Sequence, residues 1–240
     1  MRLSRRRVGA IVRKELQEYR RSGAIVGAMA ILPIVFVIPP LIQIFALPVA
    51  ASDVLKGADV LLYMLGIPAL VPAALAAYAV AGERQQGTLE PLLTTPLRRE
   101  EFLLGKALAS LIPSLAISYI VYAAVIVAVE VLAARPIAAA LVQVSAIVVQ
   151  LLFTPLVAGV SIWIGMLIST RSDDPRTAQQ LGTVAGLPAV AVAALLAYNV
   201  IHPTLRLAIG FGVVLVLLNA ASWRLASAAL NPERLITRTR

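Results

Sequence analysis

The chain has 240 residues, 60% of them hydrophobic and only 14% charged, with a mean hydropathy of +0.90. A water-soluble protein carries roughly 45–50% apolar and about 25% charged residues, so the charges are too few to coat a soluble surface, and the same figures exclude intrinsic disorder. The formal net charge is +9 and cysteine is absent, which excludes disulfides, thiolate metal sites and cysteine nucleophiles.

Residues 1–22 carry eight Lys/Arg. Val8, Ile11, Val12, Leu16 and Tyr19 recur near helical spacing, while Arg5, Arg6, Arg7, Arg13, Lys14 and Arg20 fall largely elsewhere. This predicts an amphipathic elbow helix in the headgroup layer, its basic face toward anionic membrane lipid. The pattern fits a lever that moves the first span and equally a passive anchor.

Six uncharged stretches follow, of 31, 23, 23, 35, 29 and 17 residues. A membrane helix needs about 20 mostly apolar residues, and nothing here alternates as a barrel strand would. The stretches predict transmembrane helices near 24–50, 60–82, 107–129, 137–169, 180–201 and 207–223, forming one domain over 23–223. The fourth stretch is long enough for a tilted or extended helix. The first is too long for the roughly 7–15-residue core of a secretory leader and reads as a retained span.

An even number of spans places both termini on one side. The segments on that side, 1–22, 83–106, 171–176 and the tail 224–240, hold 18 of the 21 Lys/Arg, leaving Lys56, Arg135 and Arg206 opposite. Positive residues stay cytoplasmic, so the termini are expected inside, in the cell membrane. The surplus charge is therefore a topology signal, and no nucleic-acid partner is expected.

Within the apolar stretches, Pro33, Pro39, Pro40, Pro68, Pro72, Pro113, Pro155 and Pro188 fit either gating hinges or ordinary membrane-helix irregularity. Gly23-x-x-x-Gly27 and Gly182-x-x-x-Gly186 permit close helix approach, more naturally within the chain than between subunits. The polar candidates are Gln43, Ser118, Tyr119, Tyr122, Gln143, Ser145, Gln150, Thr154, Asn199 and Asn219. Bonding between helices accounts for such residues, and substrate-binding residues stay unassigned. Ion-coupled carriers place ionisable groups at membrane depth, whereas these stretches hold only His202, near an outer end. With one histidine and no cysteine, no metal cluster or catalytic triad is expected. The chain reads as a non-enzyme whose energy comes from elsewhere.

The segment between spans two and three, Glu83 to Lys106, is the most organised. Gly87 breaks the preceding helix, and Thr88 is a good N-cap. Glu90 suits the positive helix start, and Pro91 is tolerated in the first turn. Leu89, Leu92 and Leu93 share one face, and Thr95-Pro96 ends the element. A helix of about seven residues, near 10 Å long, cannot cross a bilayer. Its leucines fit a docking knob for a soluble partner, or a short interfacial helix resting in lipid.

The run E-R-Q-Q-G-T-L-E-P-L-L-T-T-P-L-R-R-E-E-F-L-L-G-K, Glu83 to Lys106, resembles the signature loop of ABC-2-type transporter permeases. K-E-L-x-E-x-R at Lys14 to Arg20 resembles that family's N-terminal segment. The resemblance implies the transmembrane subunit of an ATP-driven ABC transporter, an exporter by expectation. It pairs with a second permease copy or a paralogue, and two cytoplasmic ABC ATPase subunits bind below. The loop would be the coupling helix, with Gly87, Thr88, Leu89, Glu90, Leu92, Leu93 and Pro96 as its contact and shape-giving residues. Glu83 and Arg84 would form its charged edge, and Gly105-Lys106 the return into span three. The chain has no G-x-x-x-x-G-K-[ST] phosphate loop, so no cofactor is expected in it and ATP would sit on the partner. The alternatives are a passive channel, an ion-coupled carrier, or a non-transporting membrane scaffold subunit.

Overall fold

The computed structural model describes residues 4–46, 60–87, 98–198, 200 and 204–229. The basic elbow helix α1 covers Arg5–Arg21 and passes through one residue, Ser22, into α2, Gly23–Ala46. A 3-10 stretch, Val60–Leu65, continues into α3, Gly66–Gln85. Then come α4 (Arg99–Leu132), the short α5 (Arg135–Leu141), α6 (Val144–Arg171), α7 (Pro175–Ala197) and α8 (Leu205–Ala229). There is no strand among the described residues. Among the described residues, six elements are long and apolar enough to cross a membrane: α2, the 3-10 stretch with α3, α4, α6, α7 and α8. The molecule is an all-α, multi-pass membrane protein.

The helices are sorted by burial. The membrane-crossing window of the second span is 94% buried, against 11% for α8. The sequence of α3 explains this. Seven of its 20 residues are alanine, and small residues let neighbouring backbones approach where no hydrophobic driving force acts between helices. A Cβ added to Gly165 of α6 would lie 2.6 Å from the Ala73 carbonyl oxygen of α3, and one on Gly186 of α7 would lie 2.9 Å from that of Ala69. Below them, the Ser169 hydroxyl of α6 accepts the N–H groups of Val80 and Ala81, each at 2.9 Å. Leucine, isoleucine and valine on α2, α4, α7 and α8 face outward, as lipid-facing surfaces should.

The two glycine motifs part company here. Gly182 and Gly186 sit against α3, whereas a Cβ on Gly23 or Gly27 would meet nothing within 4 Å. The helices also continue through the prolines inside α2, α3, α4, α6 and α7.

Two elements depart from the limits that charge suggests. The fourth uncharged stretch forms two helices, because α5 ends at Leu141 and α6 begins at Val144. α5 carries Pro at its start and buries Ile137, Ala138, Ala140 and Leu141, so it folds back onto the core instead of lengthening the span. At the opposite end of the bundle, α3 runs past Glu83 and Arg84 to Gln85. The third span likewise starts before its apolar stretch, because Arg99 to Lys106 already form the first turns of α4. Charged residues read as loop are therefore held on helices.

Candidate functional site

The site is built where α1, α3 and α4 meet, at the last turn of α3. α1 lies along the first turns of α4. The Ser4 N–H donates to Glu101 Oε1 at 2.9 Å, Ile11 packs on Gly105, and the Tyr19 and Ser110 hydroxyls are 3.1 Å apart. Arg7 Nη2 also reaches Glu101 Oε1 at 2.9 Å. On α1, Ile11, Glu15 and Tyr19 are buried at helical spacing, so one carboxylate is carried into the bundle on the apolar face.

Glu15 meets Lys106. The Lys106 ammonium lies 2.7 Å from Glu15 Oε1 and 3.1 Å from Glu83 Oε1, and all three side chains are at most 4% exposed. Lys14 Nζ approaches Glu83 from the solvent side at 2.8 Å and Glu18 at 3.3 Å. The Phe102 ring, 5.2 Å from the Lys106 ammonium, gives that cation an aromatic face. Charges this buried persist only when paired, and here each has an opposite neighbour. Burial raises the Glu15 carboxyl above its ordinary range even though Lys106 opposes the shift. For Lys14, burial disfavours the charge, but the bond to Glu83 and the nearby acids outweigh it and raise its pKa. Burial, and then Glu15, raise the Tyr19 hydroxyl.

The next residue turns the other way. Arg84 Nη1 donates to Asp173 Oδ1 at 2.7 Å and to the Ser172 carbonyl at 2.9 Å. It thus caps the C-terminal end of α6, where a cation suits the helix dipole. Adjacent residues at the end of α3 therefore grip opposite flanks: Glu83 holds the elbow and α4, while Arg84 holds the turn between α6 and α7. Gly87 follows at φ +68°, a left-handed conformation that glycine adopts without steric cost.

Glu15, Glu18 and Glu83 each place a carboxylate oxygen within 4.8 Å of the others, a composition that could hold a cation. Lys14 and Lys106 already occupy that role, so the cluster functions as an internal salt-bridge network. Electrostatically it joins three helices.

Of the residues expected to carry function, Glu83, Arg84 and Gly87 are found together at the end of α3. Thr88, Leu89, Glu90, Leu92, Leu93 and Pro96, with the short helix expected there, lie outside the described residues. Sequence reasoning missed Lys14, Glu15 and Lys106 as parts of the site. One signal was available: Glu15 falls between Ile11 and Tyr19 on the apolar stripe.

Five of the eight polar candidates with described side chains bond to helix backbone. Ser118 donates to the Ser114 carbonyl, Thr154 to Gln150, Tyr119 to Leu151, Gln143 to Ala140 and Asn219 to Leu156. Gln150 is fully buried, and neither its Oε1 nor its Nε2 has a partner among the described residues. Tyr122 is buried on α4, and Ser145 approaches Gln143 at 3.5 Å. Asn199 and the side chain of Gln43 lie outside the description.

A family model described as "ABC-2 family transporter protein" matches residues 9–237. No curated protein matches the chain.

Proposed function

The chain belongs to the ABC-2 transporter family, a membrane permease component of an ABC transporter, and from that membership we propose that it forms half of an exporter's pathway. A second copy or a paralogue supplies the other half. Two cytoplasmic ABC ATPase subunits bind ATP and engage residues 88–97, with Thr88, Leu89, Glu90, Leu92, Leu93 and Pro96 as the docking element. The chain resides in the cell membrane with both termini cytoplasmic, and carries no nucleotide itself.

The observation that supports this reading most is the opposed grip of Glu83 and Arg84 immediately before that element. A displacement of residues 88–97 would be passed through Glu83 to Lys106 on α4 and Lys14 on α1, and through Arg84 to the turn at Asp173. Closure of an ATPase dimer would then move the inner ends of several spans together, as rigid-body rocking between two access states requires. Nucleotide shifts the equilibrium only by its differential affinity for those states.

The test is co-purification of an ATPase with the tagged chain, followed by ATP-dependent flux in vesicles. Leu92→Asp with Leu93→Asp should lose both while the chain still inserts. Retention of the ATPase and of transport by that double variant overturns the docking assignment. ATP-independent flux from vesicles holding this chain alone would establish a channel or carrier instead.

A further inference from the structure

The elbow helix has a second charged face that the network at Lys106 does not use. Arg6, Arg13 and Arg20 are exposed and seven residues apart, which places them along one side of α1 at steps of about 10 Å. None of the three pairs with a carboxylate among the described residues. The two acids of α1 are engaged elsewhere: Glu15 is buried against Lys106, and Glu18 pairs with Lys14. Gly9, Ala10 and Gln17, also exposed, add no negative charge to the stripe. Because the opposite side of α1 packs on α4 from Glu101 to Ser110, the arginines point sideways, away from the bundle. Arg20 and Arg21 are followed after Ser22 by α2, whose apolar crossing window begins at Ile25. The stripe thus lies on a helix that leads directly into a membrane-crossing one.

We propose that Arg6, Arg13 and Arg20 form a binding site for anionic phospholipid headgroups on the inner leaflet. Guanidinium groups match phosphate oxygens as bidentate donors. Continuity with the first span selects a lipid over a soluble polyanion, since one residue separates α1 from a membrane-crossing helix. The site is independent of the ATPase reading. It adds to it only that lipid engages the outer face of the helix whose inner face grips Lys106.

The test is native mass spectrometry of the full chain in neutral detergent, titrated with phosphatidylglycerol or with phosphatidylcholine of the same acyl chains. The wild type should prefer the anionic lipid, less so as salt rises. A surface arginine contributes on the order of fivefold in affinity for an anionic lipid surface, so R6Q/R13Q/R20Q should lose most of a preference that reaches roughly a hundredfold, with R13Q alone intermediate. R6K/R13K/R20K should keep the part of the preference due to charge and lose the part that bidentate guanidinium contacts add, falling between the wild type and R6Q/R13Q/R20Q. R171Q/R176Q, which removes exposed arginines away from α1, should match the wild type. Unchanged preference in R6Q/R13Q/R20Q, or equal loss in R171Q/R176Q, overturns the site. Inorganic polyphosphate that displaces the lipid at equal phosphate concentration would assign the stripe to a soluble polyanion and overturn it as well.

Discussion

The two flanks of the loop-bearing end of α3 use the same charged groups under different physics. On the elbow side, Glu15, Glu83 and Lys106 are at most 4% exposed. On the far side, Arg84 is 11% exposed but its partner Asp173 is 88% exposed. A pair closed off from water is costly to break, because removing one partner strands the other. An exposed pair is screened and contributes little. The elbow side should therefore behave as a fixed joint and the far side as a yielding one, although both begin from neighbouring residues.

The sharpest way to break that contrast is Lys106→Met, which keeps the stem and removes the ammonium. Glu15 and Glu83 would then share a buried space without the ammonium between them, Lys14 remaining beside Glu83. Thermal unfolding of the solubilised chain should show a loss of about 3–5 kcal/mol near neutral pH. The sign of its pH dependence is fixed by Glu15, whose carboxyl is already raised by burial and would rise further without Lys106. A folded-state pKa above the unfolded one stabilises at low pH and is lost as pH rises through the folded value. The variant should thus recover stability on acidification. A loss below about 1 kcal/mol, or no recovery, would place the joint elsewhere.

Gly87→Val tests what lies between the flanks. The residue has φ +68° and open space around an added Cβ, so the penalty is backbone strain alone, on the order of 1–3 kcal/mol. That strain falls beside the docking element. Coupling of ATP hydrolysis to transport should suffer more than insertion, and a failure to insert would contradict this.

Asp173→Asn addresses the far side, where less than about 1 kcal/mol is expected. Arg84 keeps its bond to the Ser172 carbonyl, so α6 stays capped. A cost equal to that of Lys106→Met would abolish the distinction between the flanks.

How much of this was readable beforehand follows from what a charge means in a membrane sequence. Charge-free stretches located all six crossing elements, since lipid tolerates few ionised groups. The same rule misplaced Glu83 and Lys106 into a loop, because it takes every charge as a sign of water. Lys106 is dry because Glu83 and Glu15, the latter 91 positions earlier, both lie against it, and the one local mark of that long-range pairing is a carboxylate on the apolar stripe of α1. Spacing failed in the same way for glycine: Gly182 and Gly186 meet α3, Gly23 and Gly27 meet nothing, yet the motifs are identical. The break at Val142–Gln143 was equally hidden, since both sides of it are apolar.

The smallest effect belongs to Asp174, one residue beyond the far-side pair. It is exposed, and its carboxylate accepts the Thr177 N–H and hydroxyl, each at 2.9 Å, as the N-cap of α7. The Thr177 N–H, then its hydroxyl, hold the carboxyl below the usual aspartate range. A depressed folded pKa stabilises above the unfolded value, near 3.9, and the benefit disappears as pH falls through the lower folded value. Asp174→Asn retains a capping side chain but cannot titrate, so its unfolding temperature should match the wild type near neutral pH and decline less between about pH 4 and pH 2. The Asp174 carboxylate thus stabilises the wild type above its folded pKa and stops doing so in acid, the reverse of the buried Glu15 of Lys106→Met, whose protonation in acid restores stability. The opposite signs separate a carboxylate held by backbone in water from one stranded in a dry interior. If Asp174→Asn lost as much as the wild type on acidification, or Lys106→Met regained nothing, burial would not be what distinguishes the two carboxylates.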